Sequence, residues 1–293
     1  MHLGVFSRGP ALYSTRRLVE AARAAGHDVR VVDHTTLSPY LNYARPALLE
    51  HGKQLRGLDV VIPRIGANVT QRGAAVLRQL DVMGVPHTLD PAALLLARDK
   101  MSSLQALAAA GLPVPRTVLC FSVPEARHAA RRMDRYPVVV KLLESTHGVG
   151  VALATSQYQL DRIVEGFLRF QDRVVIQEFV RESRGRDLRA FVVGGRIVAA
   201  MERSATEGEF RANIHRGATA RPLELDPDQA RIARAAARTV GVEIAGVDLL
   251  LGPAGPLLME VNASPGLEGI EGTTGVDIAG AIVDYASKKV PTP

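Results

Sequence analysis

The chain has 293 residues, 47% hydrophobic and 23% charged, an ordinary balance for a folded globular protein and enough length for two domains or one large domain with subdomains. Lys and Arg exceed Asp and Glu by 36 to 30, for a formal net charge of +6, but the longest basic runs are pairs such as Arg131-Arg132, and aromatics are 4% with no Trp; direct nucleic-acid binding is therefore not expected, and the excess suits acidic small molecules or acidic protein tails, or solubility alone. The single cysteine, Cys120, excludes a disulfide framework, the opening apolar run is interrupted by Arg8, and no uncharged apolar segment approaches membrane-spanning length, so a cytoplasmic protein without membrane association is expected.

The first ninety or so residues read as a small α/β unit: strand HLGVF, helix TRRLVEAARAAG closed by Gly26, strand DVRVVD, strand LDVVIPRIG and helix NVTQRGAAVLRQLDVMG. This is βαβ logic and predicts a parallel sheet. The loop from Ser7 to Ser14 carries Gly9 and Pro10 but no GxGxxG, so a dinucleotide fingerprint is absent. Asp90 to Gly111 reads as helical, and Leu112, Pro113 and Pro115 mark an extended linker. The predicted division is 1–95, 96–183 and 184–293. Strand TVLCF, helix PEARHAARRMD, strand YPVVVK, helix QYQLDRIVEGFLRF and strand RVVIQEFV fill the middle. The hairpin DLRAFVVGGRIVAAMER follows, turning at Gly194-Gly195, then helix DPDQARIARAAARTVG and a last helix from Val276 to about Val290.

Between these helices lies GVDLLLGPAGPLLMEVNASPG, which reads as a second hairpin around a five-residue loop holding Gly252, Pro253, Gly255 and Pro256. With Leu251 opposite Leu257, counting back along both strands places Asp248 opposite Glu260, with Asn262 on the same face. Opposed carboxylates about 5 Å apart repel, and a divalent cation would explain them. Two carboxylates and an amide oxygen, with no His or Cys, suit Mg²⁺ or Mn²⁺ better than zinc. The alternative is a solvated sheet face, against which stands the run Leu249-Leu250-Leu251, typical of a strand buried on both sides.

Lys141 ends the run Val138 to Val140 and precedes Ser145, Thr146, Gly148 and Gly150. An ammonium at a strand end beside small hydroxyl residues and glycines can meet phosphate oxygens. The lysine precedes the glycines, so this is no P-loop, and a solvated lysine is the plain alternative.

Read in order, the parts form a pattern: Asp99-Lys100 opening a helix, Lys141 with its glycine loop, VVIQEFV, Asp187 and Arg189, Arg211 and Asn213, then Asp248, Glu260 and Asn262. This resembles the ATP-grasp superfamily. FRANIHRGA, AGVDLLL and MEVNASPGLEGIEGTTGVDIAG, with SRGPALYS and PRIG near the start, are similar to the RimK-type α-L-glutamate ligases of ribosomal protein modification. The resemblance spans nearly the whole chain. It implies an α/β protein, α+β in the ATP-grasp part, with an N-terminal Rossmann-like pre-ATP-grasp domain. It implies an enzyme that joins L-glutamate to the C-terminal carboxylate of an acidic protein tail or glutamyl peptide, using ATP and two Mg²⁺ or Mn²⁺ ions. Lys100 and Lys141 would contact ATP phosphates, Glu178 and Phe179 the adenine edge through backbone groups, and Asp187 the ribose. Arg211 and Asn213 would lie by the phosphates, with Arg211 and Lys141 catalytic, and Asp248, Glu260 and Asn262 on the metals. For Asp187 a salt bridge to Arg186 or Arg189 is an equal alternative; for Arg211 and His215 the alternative is a surface position, and His215 receives no role.

Arg64 in PRIG and Arg203 after the first hairpin are candidates for gripping acidic substrates, since a guanidinium binds a carboxylate at two points. Competing readings are a ligase joining an amino dicarboxylic acid to a carrier protein in lysine biosynthesis, and a non-catalytic nucleotide-binding regulatory module. A homo-oligomer is expected.

Overall fold

The computed structural model describes residues 1–133, 136–143, 150–206 and 219–290. Strand β1 (His2–Phe6) leads through α1 (Tyr13–Ala24) to β2 (Asp28–Val32), with Gly26 at a φ of 75° where the chain must turn left-handed after the helix. A meander the sequence reading did not anticipate, β3 (Leu37–Tyr40), β4 (Ala47–Glu50) and β5 (Lys53–Gln54), precedes β6 (Val60–Pro63). The sheet has the order β2-β1-β6 and is parallel, as the βαβ pattern predicts. Helix α2 (Thr70–Met83) follows. The helical stretch after Asp90 is two helices, α3 (Pro91–Arg98) and α4 (Lys100–Ala109). Asp99 breaks it by leaving the helical region, and its side chain accepts from the N–H groups of Met101 and Ser102 to start α4.

The middle of the chain builds an antiparallel sheet in the order β7-β10-β8-β9 from β7 (Thr117–Cys120), β8 (Val138–Lys141), β9 (Val151–Ala154) and β10 (Val174–Glu178). Helices α5 (Val123–Arg132) and α6 (Gln157–Phe167), each started by a serine cap, bury Ala126, Ala130, Leu160 and Val164 against it. This unit has its own apolar core. The last part is an antiparallel sheet, β13-β12-β11-β14-β15, made of β11 (Arg186–Val193), β12 (Arg196–Ser204), β13 (Thr219–Pro222), β14 (Ile244–Gly252) and β15 (Gly255–Asn262). One face carries Leu188, Ala190, Val247, Leu249 and Leu258 into a core shared with α3, α4 and α7 (Pro227–Val240). The other carries Phe191 and Met201 against α1, α8 (Glu268–Thr274) and α9 (Ile278–Ser287). Both cores also take in residues of the parallel sheet, so the first and last parts of the chain are packed as one body while 117–178 keeps a core to itself.

Both hairpins depart from simple counting. The β11–β12 turn is the expected Gly194-Gly195 pair, both at positive φ, with Val193 opposite Arg196. A bulge then shifts the register between Phe191 and Val192, so Asp187 faces Arg203 and not Glu202. The β14–β15 turn has two residues, not five: Gly252 pairs with Gly255, leaving Pro253 and Ala254 at the tip. A bulge beside Asp248 and Leu249 adds one residue on β15 and returns Asp248 to Glu260, so the expected pairing is reached by a different route.

Glu271 ties the ends of the chain together. Buried at 7% exposure, it accepts from Tyr13 Oη (3.0 Å), Arg17 Nε (3.1 Å) and Ala279 N (2.9 Å). Arg17 also donates to Asp277 at 2.9 Å. A buried carboxylate with that many donors leaves all of them unsatisfied when it is lost. Glu271→Ala is therefore expected to cost about 2–4 kcal/mol of unfolding free energy, measured by urea denaturation; a loss under about 0.5 kcal/mol, the range of ordinary surface substitutions, would remove the network from the stabilising contacts.

Candidate active site

The register of the last sheet places a charged group on one face. Asp187 and Arg189 are two residues apart on β11, Arg203 lies opposite Asp187, Asp248 opposite Arg189, and Glu260 opposite Asp248. Arg189 grips Asp248 at two points, Nε to Oδ1 at 2.7 Å and Nη2 to Oδ2 at 2.6 Å. Arg203 donates from Nη2 to Asp248 Oδ2 (2.9 Å) and from Nε to Asp187 Oδ1 (2.6 Å). Asp187, Arg203 and Asp248 are 5%, 6% and 1% exposed, which excludes the solvated-face alternative for Asp248. Burial opposes the charge on Asp248 most strongly, yet the Arg189 and Arg203 guanidiniums together hold it below the usual carboxylate range. Burial pushes Asp187 up against the pull of Arg203. The salt bridge weighed for Asp187 exists, but its partner is Arg203 across the bulged hairpin.

Glu260 differs from its neighbour. It is half-buried, and among the described residues no hydrogen bond or ion pair reaches its carboxylate. Asn262, opposite Gly246, has an Oδ1 that accepts only from Ser264 N, at 3.0 Å. A free carboxylate, an amide oxygen and an Asp248 with one of its acceptor directions left fit a hard cation. His, Cys, Asp and Glu alone form no group of three that could hold a metal among the described residues.

Lys141, at the end of β8, is near enough to Glu260 and Lys100 for both to act on its charge. Burial lowers it to about 8, partly countered by Glu260. Its Nζ donates to Gln177 Oε1 at 2.6 Å, Gln177 donates to Thr117 Oγ1 at 2.9 Å, and Thr117 donates to the Pro115 carbonyl at 2.8 Å. Gln177 was missed in the sequence, although a polar residue inside VVIQE, 2% exposed, is the kind of interruption that signals a role. Lys100 occupies the first turn of α4, where the helix dipole disfavours a cation. It reaches away to the Leu143 carbonyl at 2.8 Å, two residues beyond Lys141. The two lysines thus converge at the stem of the glycine loop. The Glu178 carboxylate is committed to Arg116, accepting from its N (2.8 Å) and Nε (2.7 Å). Phe179 follows directly in sequence. Arg211, Asn213 and His215, with Ser145, Thr146 and Gly148, lie outside the described residues.

Arg64 ends the parallel-sheet side of the site. It follows β6, is partly buried, and donates from Nη2 to the Pro265 carbonyl. Pro265 in turn packs on Gly246, where a Cβ would lie 2.9 Å from the proline ring. A surface hollow of about 290 Å³ lies at the opposite, amino-terminal ends of β1 and β2 and contains none of these residues.

A lysine ending one antiparallel sheet and another opening α4, with paired carboxylates on a second antiparallel sheet beside a parallel sheet, agree with the ATP-grasp resemblance of the sequence. Residues 97–286 match the RimK-like ATP-grasp domain and residues 1–94 the RimK PreATP-grasp domain. The chain belongs to the RimK-like ATP-grasp family and is an ATP-dependent ligase. It is 47% identical over 285 residues, 97% of this chain and 95% of the relative, to a protein of Cellvibrio japonicus (strain Ueda107) named "Probable alpha-L-glutamate ligase". It is similar to the RimK domain ATP-grasp protein of Sphaerobacter thermophilus, with a TM-score of 0.73, 26% identity, and 98% and 100% of the two chains covered. The fold is also that of the ATP-grasp ligase PsnB complexed with a phosphomimetic variant of its minimal precursor, Mg and ADP (TM-score 0.76, 22% identity, 99% and 98% covered). No helix among the described residues is long and apolar enough to cross a membrane.

Two outcomes are expected. Arg203→Gln leaves Asp187 and Asp248 buried without their shared cation and should destabilise by about 3–5 kcal/mol. Adding Asp187→Asn should recover part of that loss in a urea-denaturation cycle, and additivity of the two would deny the coupling. Lys141 is lowered from 10.5 to about 8 on folding; a lysine depressed in the folded state opposes folding below about 8 and is relieved as pH rises towards 10.5. Lys141→Met should therefore raise the melting temperature at pH 7, with the gain shrinking between pH 8 and 10. An equal or lower melting temperature at pH 7 would show that the Gln177 bond offsets the burial.

Proposed function

We propose that the protein joins L-glutamate to the C-terminal carboxylate of an acidic protein tail or glutamyl peptide. The observation that carries this reading is the convergence of Lys100 and Lys141 on the side of the site faced by Glu260. The curated relative's name supports glutamate as the amino acid. Peptide-bound neighbours of the same fold support a peptide acceptor, of which a small-subunit ribosomal protein tail is the specific candidate. We assign 1–95 to the pre-ATP-grasp domain, 96–183 and 184–293 to the two halves of the ATP-grasp part, and expect a cytoplasmic homo-oligomer.

The acceptor carboxylate attacks the γ-phosphorus of ATP, ADP leaves, and an acyl phosphate forms; the glutamate amine then attacks the carbonyl carbon, phosphate leaves, and the amine loses a proton. Anion meets anion in the first step, so the protein's task is positioning and neutralisation. Lys141 and Lys100 supply cations on the phosphates, Lys141 releasing Gln177 or sharing its protons with it. Glu178 and Phe179 offer backbone groups to adenine, and Asp187 one carboxylate oxygen to the ribose. Arg211, paired with Lys141 as catalytic, and Asn213 are assigned to the phosphates. Asp248, Glu260 and Asn262 would hold Mg²⁺ or Mn²⁺, two ions in the full site, which when bound would draw charge from the phosphate oxygens. Of the two candidate substrate arginines, Arg203 is held between the Asp187 and Asp248 carboxylates, whereas Arg64 donates only to a backbone carbonyl and keeps its charge for a substrate.

Incubation with ATP, Mg²⁺, L-glutamate and acidic-tailed peptides, followed by mass spectrometry, should show additions of glutamate residues. Glu260→Ala should keep the fold, because nothing described bonds to the Glu260 carboxylate, and lose Mg²⁺-dependent ADP release. Wild-type rates in a folded Glu260→Ala protein would remove the metal assignment.

A further inference from the structure

Two guanidiniums are anchored close to one another where the parallel sheet meets the β14–β15 hairpin, and the reading above uses only one. Arg98, the last residue of α3, donates from Nη2 to the carbonyl of Ile65 at 2.6 Å, the residue after Arg64. Arg64 donates to the Pro265 carbonyl. Each is partly buried and forms no ion pair with any described carboxylate within 4 Å, and Arg98 Nε is enclosed with no acceptor. A guanidinium has five N–H donors, so one backbone carbonyl apiece leaves most of each fork unused.

Two like charges in a desolvated place repel and are expensive to keep unless an anion joins them. Their own state records that cost: burial lowers Arg64 to about 10, with Arg98 adding to it, and burial lowers Arg98 while Glu260 pulls it back. The site is bounded on one side by Arg8, whose Nη2 would lie 3.1 Å from a Cβ at Gly66, so the glycine makes room for a third guanidinium. On the other side, near enough to act on Arg98, stands Glu260, which also faces Lys141. Loops from three elements close the place: Arg64 to Gly66 after β6, Ser7 to Ser14 after β1, and Asn262 to Leu267 after β15, with Leu267 N donating to Ser14 Oγ at 3.0 Å. The carboxyl ends of parallel strands are where α/β sheets receive ligands.

We propose that Arg98 and Arg64 together form a carboxylate receptor for the acidic substrate, Arg98 being a specificity residue that holds a substrate carboxylate beside Glu260. This rests on the ligase reading above. A carboxylate bridging the unused Nη donors of the two forks would relieve the like-charge repulsion and lie near the group proposed to hold the metal. Free glutamate and the acceptor's terminus share this chemistry, and the test separates them.

Steady-state constants for ATP, L-glutamate and a short α-glutamyl peptide with a free C-terminus are measured on the wild type, Arg98→Gln, Arg98→Lys and Arg64→Lys, with melting temperature and ATP affinity as fold controls. In Arg98→Lys, which keeps the charge and loses the fork, KM for one carboxylate substrate is expected to rise on the order of 10-fold or more, with KM for ATP unchanged. A rise for glutamate alone assigns the receptor to the incoming amino acid, and a rise for the peptide alone to the acceptor. If Arg98→Gln does not fold, the two lysine variants carry the test. Unchanged KM for both carboxylate substrates in folded Arg98→Lys and Arg64→Lys, or a fall in kcat alone, overturns the proposal and leaves these arginines as braces for the Ile65 and Pro265 carbonyls. A wild type that releases no ADP with glutamate and peptide overturns the ligase reading instead; calorimetric titration of glutamate and of the peptide into wild type and Arg98→Lys then decides the receptor on its own.

Discussion

The site depends on four charges that neutralise one another inside a sheet. Asp187, Arg203, Asp248 and Arg189 alternate in sign along bonds of 2.6–2.9 Å across β11, β12 and β14. None could be buried alone, because an unpaired ion in the interior costs several kcal/mol. Together they hold three strands in one register and fix the Asp248 carboxylate. They also set the polarity of the face. With Asp248 already compensated by cations, Glu260 is left as the carboxylate with negative charge to offer, and it is Glu260 that Lys141 and Arg98 sense.

The surrounding architecture supports that division of labour. The first and last parts of the chain share their apolar cores, and Glu271 fastens α1 to the start of α9. The middle sheet, β7 to β10, has a separate core and brings Lys141 to the site on its own scaffold. Leu258 N on β15 donates to the Pro113 carbonyl at 2.8 Å, so the linker into that sheet is anchored to the β14–β15 hairpin itself.

What was legible in the sequence follows from locality. The parallel unit, the Gly194-Gly195 turn and the α7 start at Asp226, where a capping box forms with Gln229, are written in neighbouring residues and could be read. The β3–β5 meander was not, because LSPY and KQ are too short and too polar to show alternation. The pairing of Asp248 with Glu260 was reached from a five-residue loop without a bulge, and the molecule reaches it from a two-residue turn with one. The Arg203 bond to Asp187 escaped because straight counting from Gly194-Gly195 puts Glu202 there. Arg98 gave no signal at all: ALLLARDK reads as a helix end, where a basic residue suits the dipole, and only the fold reveals that its neighbour is another arginine.

The two bulges bear on how such a chain can change length. In each hairpin a straight ladder would set the wrong partner against an aspartate, Glu202 against Asp187 and Met259 against Asp248, and a single extra residue corrects it. Side chains alternate between faces, so an insertion or deletion of one residue in either turn would rotate the rest of that strand out of the site. Such a change survives only with a second, opposite one that removes or creates a bulge between the turn and the charged residues. Length variation among related chains at these hairpins should therefore come in compensated pairs, while the loop leading from β13 to α7 is free to vary by single residues.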